Sequence, residues 1–447
     1  MQLFSSFPWM RRSALQLAVI SVALVIIASL AACGGGPSSG TGVTSSGPVN
    51  LTIWSWVPNG LEKSAALFTQ THPNIHVTVR NVGAGPLEYD KLFTAIKANN
   101  EPDMALMEYQ YMPTFEATGA LVDLAPYGAN SVKNQFVPWT WSLSTLGSAV
   151  YMIPWDSGPM IMTYRADLFK KYNIPVPTTW AQYADDAAKL HAADPNAYMT
   201  DFPPRQPGEF IGFAWQAGAR LFGINGQSWQ VSINSPQALQ VAAYWQGLIN
   251  KKLIKTEPDF ANAWINDMQT GVFATWFSGP WGLGALETLV PKSSGAWRVA
   301  PLPQWQAGQS VDGVWGGGGN VVFKSSKHPK EAAEFVQWVA SNQQSLDNVI
   351  KASTLYPADQ AGLDNPFWST PLPFIGNQVV GPVLKQESAE VDINFQWGPT
   401  TSQVYNDIGD NFANVVNGQG TLMDALNAVQ QSTVTYMKKQ GFSVSTS

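Results

Sequence analysis

YMIPWDSGPMIMTYRADLFKKYNIPVPTTW, from Tyr151 to Trp180, is the stretch on which the fold turns. One β run carries Pro154-Trp155-Asp156, and a second, Met160 to Tyr164, follows after a break at Ser157-Gly158-Pro159. Pro177-Thr178-Thr179-Trp180 then opens a helix that reads from Thr179 to His191. Short buried strands alternating with helices mark an α/β sheet covered on both faces.

The same alternation holds upstream. Asn50 to Trp56 is a β run, and the helix from about Gly60 to Thr69 puts Leu61, Ala65 and Phe68 on one face before His72-Pro73 stops it. Ile75 to Val79 alternates as a strand. Leu87 to Ala98 is helical, with Tyr89, Leu92, Phe93 and Ile96 together, and Asp103 to Met107 is the next buried strand. This β-α-β-α-β start places ligand sites at the carboxyl ends of its strands. Downstream, Pro236 to Lys251 reads as a helix capped by Ser235. Val272 to Trp276 and Val299 to Leu302 are strands, Glu331 to Ala340 is helical, and the last 45 or so residues are mainly helical. Val311 to Phe323 is a β run interrupted by Gly316-Gly317-Gly318-Gly319. No Lys-Ser/Thr follows the glycines and no helix opens there, so phosphate-loop and dinucleotide fingerprints do not apply. The run lets the backbone bend or approach another group closely.

The first 32 residues read as an export signal: Arg11-Arg12, an apolar run from Ala14 to Ile27, then Leu30-Ala31-Ala32 ahead of Cys33. The pattern resembles the bacterial lipobox, which implies a lipid thioether on Cys33. The alternative is an uncleaved anchor, since Ala14 to Ala32 is about long enough to span a bilayer. Cys33 is the only cysteine of 447 residues, so the chain has no internal disulfide framework. Residues 33–48 form a Gly/Ser/Thr/Pro tether that cannot bury a core. The remaining 49–447 are too long for one core and predict two lobes. Without Arg11 and Arg12 the chain has 23 basic against 31 acidic residues, which excludes a nucleic-acid partner. The 19 Trp, 13 Tyr and 21 Phe supply rigid faces suited to the C–H side of a sugar ring, although core packing uses tryptophan as well.

With these segments in view, the chain resembles the family 1 extracellular solute-binding proteins of ABC importers, the group that contains maltose- and oligosaccharide-binding proteins. Beside Tyr151–Trp180, the resemblance is carried by LTIWSW at 51–56, LFTQTHPNIHVTV at 67–79, YDKLFTAIKANNEPDMAL at 89–106, GVFATWFSGPW at 271–281 and SSKHPKEAAEFVQWV at 325–339. It implies an α/β, two-lobe periplasmic-binding-protein-like fold (type II), each lobe a central sheet flanked by helices. Lobe 1 would comprise 49–157 and about 319–357, and lobe 2 about 160–316 and about 365–447. Hinge crossings would fall near Ser157–Met160, near Gly316–Asn320 and between Leu355 and Asn365. The implied partners are a small carbohydrate and the permease subunits of the importer. The protein would be a monomer held outside the cytoplasm through Cys33, with no cofactor and no catalysis.

Eleven residues are expected to meet the ligand. Trp56 ends the first β run, and Glu108 and Tyr109 end another; the alternative for Glu108 is a solvated surface acid. Trp155 and Asp156 lie in the segment that lines the cleft in this family, where Asp156 alternatively stabilises the hinge through backbone amides. Trp276 and Trp281 flank the Ser278-Gly279-Pro280 turn, and Trp281 alternatively caps a helix. Trp215, Trp315, Asn320 and Trp397 complete the set. Catalytic motifs are missing: there is no G-x-S-x-G elbow outside the Gly/Ser/Thr/Pro tether and no H-E-x-x-H among His72, His76, His191 and His328. A secreted carbohydrate-active enzyme remains open, because two carboxylates suffice for glycoside hydrolysis. So does a receptor for a non-sugar solute such as a glycerol phosphate or a polyamine, though a phosphate calls for basic residues that the chosen segments lack.

Overall fold

The computed structural model describes residues 47–446. The export signal, Cys33 and most of the tether lie outside them, as does the candidate anchor Ala14 to Ala32. No helix among the described residues is long and apolar enough to cross a membrane.

The first sheet has the order β2-β1-β3-β8-β4, where β1 is Val49–Trp54, β2 Ile75–Arg80, β3 Met104–Glu108, β4 Ile153–Asp156 and β8 Gly318–Val322. β1 runs parallel to β2 and β3. β8, returning from far down the chain, is antiparallel to both β3 and β4. Val49, Leu51 and Ile53 alternate into a core shared with the helices Pro58–Thr71 and Pro329–Ser341. All five residues of β8 are buried because the strand is covered on both faces.

The second sheet is β6-β5-β7, with β5 Ile161–Arg165, β6 Thr275–Ser278 and β7 Trp297–Ala300, all antiparallel. Its core gathers Ile161, Trp264, Trp276, Trp297 and Trp368. Helices 180–193, 207–216, 236–250, 401–416 and 422–439 belong to the chain that follows β5. The expected starts are capped by side chains: Thr179 accepts from the Gln182 N–H at 3.2 Å, and Ser235 accepts from that of Ala238 at 3.4 Å. A small third sheet pairs 222–225, 228–231 and 444–446. It and the fully buried helix Pro207–Gln216 are additions to the sequence reading.

Three backbone segments lie side by side between the sheets. The Ser157 N–H donates to Tyr356 O at 2.7 Å, the Met160 N–H to Gly313 O at 3.1 Å, and the Trp315 N–H to Gly158 O at 2.9 Å. The glycine run serves this junction. Gly316 and Gly317 adopt φ of 82° and 74°, which a side chain would strain. A Cβ on Gly318 or Gly319 would stand 2.2 Å from the carbonyl oxygen of Met107 or Ile153.

Candidate functional site

Strand direction brings one set of residues to a single edge of the first sheet. β1, β3 and β4 all finish there and β8 begins there, so Gly318 pairs with Glu108 on one side and Asp156 on the other. The Tyr89 hydroxyl donates to Glu108 Oε2 and accepts the Glu108 N–H, each at 3.0 Å. Burial raises the Glu108 carboxyl above its usual range against the pull of the Tyr89 hydroxyl and the Gln110 side chain. Burial, with a smaller push from Glu108, lifts Asp156 to about 8 although the Ser157 and Tyr356 amides favour its charge. Glu88, behind them, is raised to about 8 by burial and then by Glu108.

The facing wall comes from the second sheet. Trp276 is on β6, and the Ser278-Gly279-Pro280 turn leads into the helix Trp281–Leu289. Trp276, Trp281 and Trp315 stand mutually edge to face, with centroids 5.7, 6.4 and 5.3 Å apart. The Trp281 indole N–H donates to Trp315 O at 3.0 Å. Glycines let these rings close up: a Cβ on Gly279 or Gly316 would lie 2.7 Å from Trp281 Nε1. One on Gly208 would lie 2.7 Å from the Trp315 ring and 3.4 Å from the Tyr405 hydroxyl. Next to Gly208 is Glu209, buried with Asp201 and Asp259. Burial raises all three, Asp201 to about 6 and the other two well above the usual range; Asp201 adds to the shifts of Glu209 and Asp259, while a hydrogen bond from Asp259 holds Asp201 down.

The two walls touch through aromatic rings. Tyr111 lies 5.8 Å from Tyr405, and the charge of Glu108 contributes to the upward shift of the Tyr405 phenol after burial and Tyr111. The row extends from Trp56 through Tyr89 and Tyr111 to Tyr405 and Trp397. Asp156 Oδ1, Ser278 Oγ, Thr400 Oγ1 and Ser402 Oγ are buried without a hydrogen-bond partner in the chain. Buried polar atoms ordinarily have partners, so those at the edge of the first sheet and in the Ser278 turn are available to a guest with hydrogen-bonding groups. Among the described residues no group of His, Cys, Asp and Glu is arranged to hold a metal ion.

Glu108 and Asp156 therefore meet at one sheet edge, with Trp56 against Tyr89; Trp276, Trp281 and Trp315 form one aromatic cluster; and Trp397 joins the aromatic row through Tyr405. Trp155, Asn320, Tyr109 and Trp215 are placed elsewhere. Trp155 is fully buried in the first core with Val150, Ile153 and Leu355, because alternation sends it to the face opposite Asp156. Asn320 is buried in mid-strand on β8, paired with Leu106 and Ile153. Tyr109 is buried and its hydroxyl donates to Asp156 O at 2.9 Å, which makes it a brace for the wall. Trp215 is buried, stacked on Phe395 at 3.9 Å, with its N–H on Asp392 O at 2.8 Å. Trp397 packs against Trp215 and Tyr405 and borders a groove of about 330 Å³ with Leu143 and Phe395. Tyr111, Asp201, Glu209, Asp259 and Tyr405 were not anticipated. Their sequence neighbourhoods give no signal, since they converge from four separate parts of the chain.

Residues 54–345 match the family model of bacterial extracellular solute-binding proteins. The chain belongs to this family. Among relatives of this solute-binding family, a probable ABC transporter-binding protein of Deinococcus radiodurans is 26% identical over 64% of this chain and 68% of its own. An arabinooligosaccharide-binding protein of Bacillus subtilis is 23% identical over 70% of this chain and 73% of its own. Two solved structures are similar along nearly the whole fold. The galacto-N-biose-/lacto-N-biose I-binding protein of a Bifidobacterium longum ABC transporter, in complex with lacto-N-biose, superposes with a TM-score of 0.80 at 26% identity, covering 90% of this chain and 100% of that one. A transporter-associated binding protein of B. animalis subsp. lactis, in complex with beta-1,6-galactobiose, gives 0.78 at 28% identity, covering 89% and 99%. The fold is the two-lobed one of these extracellular receptors.

Proposed function

We propose that this chain is the sugar-capturing receptor of an ABC importer, closing two lobes around a saccharide and delivering it to the permease. The observation that carries the reading is the composition of the cleft. Three mutually packed indoles and two carboxyls at the carboxyl edge of the first sheet supply it, with Asp156 Oδ1 and Ser278 Oγ buried and unpaired. A pyranose has this combination of surfaces, an apolar C–H face and a rim of hydroxyls. The saccharides bound by the two similar structures support the same class.

In this reading the lobes are 49–157 with about 319–357, and about 160–316 with about 365–447, hinged at the three adjoining segments. The receptor is a monomer anchored through a lipid on Cys33, and it binds without turnover. Isothermal titration against a panel of mono- and oligosaccharides tests it. Saturable one-to-one binding with unchanged sugar is expected, together with a smaller radius of gyration in scattering. Binding of a polyamine or amino acid and of no saccharide would refute the substrate class. Reducing-sugar release abolished by Glu108→Gln would refute the non-catalytic role.

A further inference from the structure

Two grooves join into one channel that starts at the aromatic row. The first, of about 330 Å³, runs between Met112, Leu143 and Thr145 on one side and Asn394, Phe395 and Trp397 on the other. The second, of about 800 Å³, lies over the stacked rings of Phe136 and Trp141. They share Ser142, Thr145 and Ile393 and are therefore continuous. Each has the size of a small-molecule site, about 300–1,000 Å³. Trp397 marks the inner end: its ring is 6.0 Å from that of Tyr405, and its indole N–H is buried without a partner in the chain. One residue beyond Pro113, which also lines the first groove, Thr114 Oγ1 accepts the Ser402 N–H at 3.4 Å, so two distant parts of the chain meet beside the channel.

The lining differs in chemistry from the acidic sheet edge. Lys133 is its one charged side chain; the others are hydroxyls, carboxamides and apolar or aromatic groups. Ile393 keeps 46% of its surface exposed on the shared stretch. Neutral hydrogen-bonding groups beside apolar surface suit a run of uncharged sugar rings, which offer hydroxyls on their rims and C–H groups on their faces. Resting on the saccharide reading above, we propose that this channel holds the outer units of an oligosaccharide whose inner unit lies in the cleft, so that the receptor selects for chain length. It favours three or more units over a disaccharide. In that reading residues 112–146 and 393–397 belong to different lobes, and a longer chain bridges both.

The mature protein is titrated with β-1,6-linked galactosides, maltooligosaccharides and arabinooligosaccharides, each of two to five units. In whichever series binds, affinity should rise at least about 10-fold from the disaccharide to the tetrasaccharide, the gain expected from one or two net hydrogen bonds. Ile393→Trp, at an exposed position, fills the shared stretch. It should return the tetrasaccharide to disaccharide affinity while changing disaccharide binding less than about 2-fold, and Thr145→Trp should do the same. Should neither variant fold, hydrogen exchange on the wild type decides: the tetrasaccharide, and not the disaccharide, should slow exchange across 130–146. Equal or weaker binding of longer chains, binding of a monosaccharide alone, or variants that keep the wild-type length dependence or weaken every length alike would overturn the channel and leave the saccharide reading in place. No binding by any series or by the wider sugar panel would overturn the saccharide reading itself.

Discussion

Replacing Asp156 by Asn tests the electrostatics of the cleft in the free protein. The Asp156 carboxyl ends β4 with one buried oxygen unpaired, and burial lifts it from 3.8 to about 8. Between those values the unfolded chain carries the charge while the folded chain keeps the proton. Folding therefore takes up a proton, and stability falls as pH rises. The group costs nothing below about pH 4, costs progressively more through the window, and levels off above about 8. Inside the window the slope for one proton is about 1.4 kcal/mol per pH unit, so from pH 5 to pH 7 the wild type loses about 2.7 kcal/mol at this site. Asparagine has the shape of the protonated acid and cannot ionise, so it removes that slope. Glu88 and Glu387 are also raised to about 8, and they impose the same trend on both proteins. Urea unfolding of the unliganded wild type and Asp156→Asn at pH 5, 6 and 7 isolates the difference. The stability of the variant relative to the wild type should improve by about 2 to 3 kcal/mol across the series. A gap that stays constant with pH would mean that Asp156 is already ionised in the fold, and the argument from unpaired burial would fail.

Three further outcomes follow from placement. Trp281→Ala should weaken saccharide binding at least about 10-fold in calorimetry, whereas Trp155→Ala should cost about 3 to 5 kcal/mol of stability in urea unfolding and leave the affinity of the folded protein nearly unchanged. Gly316→Ala forces a side chain to φ 82° and against Trp281 Nε1, so it should destabilise by about 2 kcal/mol or more in chemical denaturation, and reversion should restore the loss. Cys33→Ser should move the expressed protein from the detergent to the aqueous phase and remove the acyl mass seen by mass spectrometry; an unchanged partition would favour an uncleaved anchor.

Much of the fold was legible because its signals are local. Alternation at Val49, Leu51 and Ile53, the Thr179 and Ser235 caps and the glycines of the junction each depend on a few neighbouring residues. The site was legible only in part. Trp155 and Asp156 are adjacent and equally attractive, and what separates them is which face of β4 meets the first core. A strand covered on both faces gives no polar pattern to reveal that. Trp215 misled for a related reason: its helix is buried at all ten positions, so it has no exposed face from which an inward direction could be read. Asp201, Glu209 and Asp259 each look like an ordinary surface acid until the chain folds them together.

The acids at the edge of the first sheet also bear on how the receptor works. Glu108 and Asp156 end their strands beside the place where Tyr111 meets Tyr405, so bringing the lobes together without a guest buries carboxyls away from water. That cost opposes closure of the empty protein, while the Tyr111–Tyr405 contact and the adjoining hinge strands favour it. A guest that donates hydrogen bonds to these carboxyls changes the sign of the first contribution and leaves the second in place. Ligand affinity for the closed state then exceeds that for the open one by the interactions with the second wall, which is the condition for binding to drive the motion. The same unpaired groups that make the empty cleft expensive to close thereby make closure report that a ligand is inside.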